Sequence, residues 1–232
     1  MVQMNYAQET GNRQLATGNC FMNPITGEAV ENYMDSLLPA RDEVLREMEL
    51  QAKQRDIPII GPAVASFLYQ LAQIARAQTV FELGSAIGYS TLWWARAVGP
   101  AGKVIYTDSS RKNAEEARRY FERAGVAARI DIRVGDALEI LSEEKPASYD
   151  IIFNDVDKED YPRVFTLAAD RVRKGGLLIS DNVLWSGKVA NSDHHDDTTR
   201  AVLKFNRLLY DSPDFFTTII PMRDGIAIAQ RK

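Results

Sequence analysis

Cysteine and histidine are nearly absent from this chain of 232 residues. The one cysteine, Cys20, has no partner for an intramolecular disulfide, and no Cys-x-x-Cys pair or Cys/His cluster offers a zinc site. His194 and His195 stand together in the polar run Asn191–Thr199, which reads as a loop ahead of a helix rather than as a metal site. No apolar run approaches the roughly 18–20 residues that a membrane-spanning helix needs. The stretch Met1–Gly18 is polar and has no apolar centre, so it does not read as a secretory signal. An excess of positive charge is missing too. The formal net charge is −4 and the isoelectric point lies near 5.4, which disfavours a surface built for phosphate backbones. Neither nucleic acid nor a membrane is expected as a partner, and a soluble cytoplasmic protein is the reading these absences leave.

What is present suits one sizeable core. Hydrophobic residues make up 45% and charged residues 26%, an ordinary globular balance that gives no ground for disorder. Residues 1–23 are rich in Asn, Gln, Thr and Gly without periodicity and read as a mobile tail. Residues 24–77 then carry three helical patterns, over Ala29–Leu38, Asp42–Gln54 and Pro62–Ile74, the last with proline in its first turn. From residue 78 to 232 the texture changes. Strand patterns at Thr79–Glu82, Lys103–Asp108, Ile130–Val134, Tyr149–Asp155 and Leu177–Asp181 alternate with helical ones at Ser90–Val98, Asn113–Ala124, Ala137–Ser142 and Asp160–Val172. A helix near Thr198–Leu209 and strands at Phe215–Ile220 and Gly225–Gln230 close the chain. This alternation predicts an α/β fold with a parallel sheet.

Ligands of open α/β sheets bind beyond the carboxyl ends of the strands. Those ends are Glu82, Asp108, Asp136, Asp155 with Asp157, and Asp181 with Asn182. One such acid is an ordinary cap or turn residue, but carboxylates crowded along one edge call for a cation. The first loop, Glu82-Leu83-Gly84-Ser85-Ala86-Ile87-Gly88, supplies glycines where a ligand must approach the backbone. Its Gly-x-x-x-Gly spacing differs from the Gly-x-Gly-x-x-Gly of dinucleotide sites. Asp108, at the next strand end, is placed to accept hydrogen bonds from ribose hydroxyls. An acid beside the first glycine suits an amino-acid ammonium better than a pyrophosphate, which favours S-adenosylmethionine (SAM) over NAD.

The stretches Phe81–Ser90, Phe153–Tyr161 and Ser180–Gly187 resemble those of the cation-dependent O-methyltransferases, the family of caffeoyl-CoA O-methyltransferase and, more distantly, catechol O-methyltransferase. The resemblance runs from about Pro24 to the C-terminus. It implies a class I, Rossmann-like methyltransferase fold: a seven-stranded, mostly parallel sheet with an antiparallel C-terminal edge, helices on both faces, and N-terminal helices covering the site. It implies Asp155, Asp181 and Asn182 as ligands of a divalent cation, with Mg²⁺ ahead of Ca²⁺ or Mn²⁺. Glu82, Gly84, Ser85, Ser90, Asp108, Asp136, Ala137, Asp155 and Asp157 would line the SAM site, and Lys158 would be the catalytic base, working with Asp155. Hard oxygen ligands suit such a cation, and a cation would lower the pKa of a chelated phenol. The same positive charge should depress the pKa of Lys158.

The expected substrate is therefore a small phenol with vicinal hydroxyls, and relatives of this kind commonly form homodimers. Trp185 is a candidate for shaping the substrate mouth. Three features depart from the family: Asn154, where an aliphatic residue is usual, Val156, where Ala is frequent, and the individual loop Asn191–Thr199. Alternation puts Asn154 opposite Asp155 in a buried strand, where its amide needs partners. Three other readings compete. An NAD(P)-dependent oxidoreductase lacks its glycine pattern and a Tyr-x-x-x-Lys pair, and a non-catalytic SAM-binding protein would not need Asp155, Lys158, Asp181 and Asn182. A nucleic-acid N-methyltransferase lacks the Asn/Asp-Pro-Pro-Tyr motif.

Overall fold

A computed structural model describes residues 27–191 and 196–232. The expected N-terminal tail, Cys20 and the His194–His195 pair lie outside the described residues. Seven strands form one sheet in the order β3-β2-β1-β4-β5-β7-β6. They are β1 (Thr79–Leu83), β2 (Lys103–Asp108), β3 (Ile130–Val134), β4 (Tyr149–Asn154), β5 (Val172–Ser180), β6 (Phe215–Ile220) and β7 (Ile226–Arg231). The first five run parallel, and β7 pairs antiparallel with both β5 and β6. The order reverses at β1 and β4, so a crevice opens beyond their carboxyl ends.

Eight α-helices accompany the strands among the described residues: α1 (Glu28–Leu37), α2 (Glu43–Arg55), α3 (Gly61–Ile74), α4 (Tyr89–Ala97), α5 (Arg111–Arg123), α6 (Ala137–Ser142), α7 (Tyr161–Ala168) and α8 (Asp197–Asp211). Their starts follow local chemistry. Asp42, Ser110, Asp136 and Asp196 cap α2, α5, α6 and α8 by accepting from backbone N–H groups in the first turn. Pro62 enters α3 where its missing N–H costs nothing.

The central strands are apolar on both faces, as a doubly covered sheet requires. Ile151 and Phe153 of β4 join a core with α2–α5, while Ile152 joins a second core with α6–α8. Each of these side chains is fully buried, and burial of one contributes roughly 1.5–3 kcal/mol. Leu45, Met48 and Ala52 bring α2 into the first of these cores. Helix α1 buries none of its residues.

Two expectations need correction. Helix α7 stops at Ala168 rather than at Val172, and β5 begins at Val172 rather than at Leu177. The Arg-Lys-Gly-Gly run carries no strand period of its own, yet Val172 before it is fully buried and pairs with Tyr149. A register shift between Tyr149 and Ile151 accommodates the extra residues, with Gly175 at φ +75° on the facing strand.

Candidate active site

Glu82 projects from β1 into a fully buried position behind the first loop. One of its oxygens accepts hydrogen bonds from Ser85 Oγ (2.8 Å) and Thr91 Oγ1, and the other, Oε1, has no partner among the described residues. Burial dominates its titration and raises its pKa to about 7, against the opposing hydroxyls of Ser90, Thr91 and Ser85. The loop itself is laced to β2. Ser85 N donates to Thr107 O at 2.9 Å, and Ala86 N donates to the Asp108 carboxylate at 3.0 Å. Gly84 and Gly88 have φ of +81° and +85°, open to glycine without strain. A side chain at Gly84 would also lie 2.5 Å from the carbonyl oxygen of Asp155. The loop is therefore pressed against the exit of β4. Gly84, Ser85, Ser90 and Asp155 line one narrow cleft, roofed by Pro58, Ile59 and Ile60 between α2 and α3.

The remaining strand-end acids do not crowd into one cluster, which corrects the expectation from their pattern. Asp108 also accepts from Ser110 N (2.8 Å) and Asn113 Nδ2 (3.2 Å), so it ties two loops together. Asp136 is exposed and caps α6 through Leu138 N and Glu139 N, with Ala137 as the first helical residue. Asp157 is exposed, and its carbonyl closes a turn with Asp160 N.

Asp155 and Asp181 are the pair that interact. Each stands one residue past its strand and continues the ladder: Asp155 N donates to Leu83 O (2.9 Å) and Asp181 N to Asn154 O (3.1 Å). Burial raises the pKa of both carboxyl groups, and the charge of Asp155 pushes Asp181 further the same way. Asn182 follows at φ +57°, a conformation asparagine tolerates, with its N–H bonded to Asp181 Oδ1 at 2.8 Å. Asn182 is 7% exposed. Among the described residues no three His, Cys, Asp or Glu side chains form a metal-binding group. The expected set has two carboxylates and one amide. One buried carboxylate, Asp181, and one part-buried carboxylate, Asp155, that repel each other next to a carboxamide form a donor set fit for a hard divalent cation.

Lys158 answers this negative charge. Its Nζ lies 3.2 Å from Asp155 Oδ1, donates to Val156 O at 3.2 Å, and sits 5.0 Å from the centre of the Tyr161 ring. Burial opposes the ammonium, but Tyr161, Asp155 and Asp181 outweigh it and hold Lys158 above the usual lysine range. The depressed pKa expected for Lys158 is thus not its value within the protein alone. Tyr161, fully buried, donates to the main-chain oxygen of Asp181 at 2.8 Å and so ties the lysine's neighbourhood to the end of β5. Asn154 is fully buried as expected: its Nδ2 donates to Ser180 Oγ at 3.3 Å, while Oδ1 finds no partner among the described residues.

Sequence reasoning missed Thr91, Arg223 and Asp224. Arg223, in the turn between β6 and β7, draws down the pKa of both Asp155 and Asp181 and donates to Ile59 O at 3.1 Å. An Arg-Asp-Gly run between two strands reads as an ordinary hairpin turn, and that signal hid both residues. A roomier groove of about 380 Å³ between α7, α8 and the start of β6 is lined by none of the residues above.

Comparison with known proteins fits this architecture. The profile of the O-methyltransferase family matches residues 36–232. Catechol O-methyltransferase of Niastella koreensis is 34% identical over 218 residues, covering 90% of this chain and 99% of that protein. Caffeoyl-CoA O-methyltransferase 1 of Arabidopsis thaliana is 34% identical over 211 residues, covering 84% and 81% respectively. The structure of a Streptomyces achromogenes O-methyltransferase involved in tomaymycin synthesis, in complex with SAM, superposes with a TM-score of 0.80 at 32% identity over 88% of this chain and 96% of that one. The fold and the strand-end site define a SAM-dependent methyltransferase. The chain belongs to the O-methyltransferase family. That membership removes the dinucleotide oxidoreductase alternative.

Proposed function

We propose that the protein transfers a methyl group from SAM to one hydroxyl of a small vicinal dihydroxyphenyl compound, with a divalent cation held by Asp155, Asp181 and Asn182. The observation that carries this reading is the contact between the two halves of the site. Gly84 of the cofactor loop packs on the backbone of Asp155, so a group bound in the loop adjoins the acidic pair.

The residues present fit both groups. Glu82 has a buried, unpartnered oxygen behind the loop that we assign to the cofactor's ammonium, while Gly84, Ser85 and Ser90 line the adjoining cleft. Asp108, Asp136, Ala137 and Asp157 complete the proposed cofactor site along the strand ends. SAM supplies the electrophilic methyl carbon, and a hard cation, Mg²⁺ ahead of Ca²⁺ or Mn²⁺, supplies Lewis-acid stabilisation of a phenolic oxyanion. Lys158 holds a proton as found, and its ammonium steadies negative charge on the acceptor oxygen. To act as the base it must lose that proton, which requires the field of Asp155 and Asp181 to be offset. Pro58, Ile59 and Ile60 border the cleft, and positioning with electrostatics accounts for the rest.

Relatives carrying catechol and caffeoyl-CoA names support the substrate class. The test is methylation of a panel of catechols, caffeoyl esters and hydroxylated flavonoids with SAM, with and without EDTA. Activity that survives both chelation and Asp181→Ala would falsify the cation-dependent mechanism. We also propose a homodimer working in the cytoplasm, without nucleic-acid or membrane partners. The acidic charge speaks against nucleic acid, and among the described residues no helix is long and apolar enough to cross a membrane.

A further inference from the structure

We infer that Asp224, in the turn between β6 and β7, is a positioning residue that fixes the Trp185–Gly187 turn beside the acceptor site and thereby sets affinity for the methyl acceptor. What that turn recognises rests on the methyltransferase reading above.

Trp185, Ser186 and Gly187 follow one another at φ of +46°, +52° and +76°. Glycine adopts such angles freely, whereas tryptophan and serine do so at a cost and stay there only when their surroundings hold them. The hairpin turn provides that hold. The main-chain oxygen of Asp224 accepts from Leu184 N at 2.9 Å, and Gly225 O accepts from Val183 N at 3.1 Å. The Asp224 side chain then takes the N–H of Ser186 on Oδ1, in the middle of the strained run. Gly225 is obligatory for this packing, since a side chain there would run into Leu184.

The location is close to the chemistry. Asp224 is only 2% exposed, and Lys158, Arg223 and Lys188 direct positive charge at it from three segments. Trp185 follows the proposed ligands Asp181 and Asn182 in the chain, and Lys188 Nζ lies 5.3 Å from the centre of a Trp185 ring. Its indole N–H and Asp224 Oδ2 are both buried without partners among the described residues. A brace serving stability alone would not need to hold a tryptophan in a disfavoured conformation three residues after Asn182. A carboxylate that presents Trp185 to the acceptor accounts for both the strain and its position.

The test uses the full chain. Hydrogen–deuterium exchange over 183–190 is measured in Asp224→Ala and Asp224→Asn, alongside KM for catechol and for SAM in the presence of Mg²⁺. Asp224→Ala should speed exchange in that segment and raise the catechol KM about tenfold, with the SAM KM within about twofold. Asp224→Asn keeps an oxygen for Ser186 N–H and should restore both readouts. Trp185→Ala should raise the catechol KM by a similar factor, and adding Asp224→Ala to it should change little further. Unchanged exchange overturns the inference. So does faster exchange with an unchanged catechol KM, or a parallel rise in both KM values. Should Asp224→Ala not fold, Asp224→Ser, small and polar, carries the same expectations. A wild-type protein that methylates no acceptor refutes the activity reading instead, and exchange in the variants still decides whether Asp224 fixes the turn.

Discussion

Glu82 has one oxygen bonded to Ser85 and Thr91 and the other bonded to nothing among the described residues, inside a position closed to solvent. Its pKa, raised from 4.5 to about 7, carries a definite sign. The folded protein holds the proton more tightly than the unfolded chain does. The associated stability is therefore fully present below pH 4.5 and lost as pH rises through about 7. Unfolding of the cofactor-free protein should show that decline, and Glu82→Gln should flatten it. If the ionised carboxylate receives the cofactor's ammonium, SAM affinity should rise from pH 5.5 to about 7 and then level off, as calorimetry across that range would show. An affinity that is flat in pH for the wild type would detach Glu82 from the cofactor.

Lys158 and Asp181 carry the second residue-scale prediction. Removing a positioned proton-transfer group typically costs about 10²–10⁴ in rate, so Lys158→Met should lower kcat on that scale while leaving the SAM KM near its wild-type value. Asp181→Ala should abolish the thermal shift produced by Mg²⁺ as well as activity. What was legible in the sequence here was residue type at strand ends, because turn and ligand chemistry both demand acids there. The division of labour was not legible. Nothing in the spacing says that Asp136 spends its side chain on a helix cap and Asp108 on two loops. Nor does it say that Asp155 and Asp181 are left to repel each other. That depends on which N–H groups the fold brings within reach.

Helix α2 shows how an element can support the site without entering it. Glu49 accepts from Arg41 (3.0 Å) and from the hydroxyl of Tyr89 (2.7 Å), the first residue of α4 after the cofactor loop. Arg55 pairs with Glu116 of α5 at 2.5 Å, and Arg123 of α5 pairs with Glu47 at 2.6 Å. These contacts are unequal. The Glu49 side chain is 20% exposed and bonds a charged partner as well as a buried tyrosine, so Glu49→Ala should cost about 1–3 kcal/mol in urea unfolding. Glu47 and Arg123 are exposed, and Glu47→Ala should leave the midpoint where it is.

Most elements were legible from their hydrophobic period, and β2, β3, α6 and β6 match residue for residue. The one misjudged junction, from α7 to β5, failed because two glycines mark a loop by default. Only pairing with β4 reveals Gly175 as part of a bulged strand.

At the scale of the whole molecule, two ligands bound across one crevice should act as linked stabilisers. A ligand at about 100 times its Kd adds roughly 2.7 kcal/mol, which for a domain of this size raises Tm by about 5–10 °C. SAM should produce such a shift, and NAD none. The same scale exposes what the described residues leave uncovered. Helix α1 spans ten residues, fewer than the roughly 12–15 at which isolated helices become even marginally stable. It buries no residue, and Val30, Tyr33 and Leu37 stand 50%, 64% and 65% exposed on it at helical spacing. A face of that kind is held in place by covering it. A second copy of the chain, with α1 in the contact, meets that need and is the proposed homodimer. Light scattering at micromolar concentration should give twice the 26.0 kDa of one chain, and Tyr33→Glu with Leu37→Glu should shift the mass toward one chain. A single-chain mass in the wild type would overturn the dimer while leaving the crevice and its chemistry as they are.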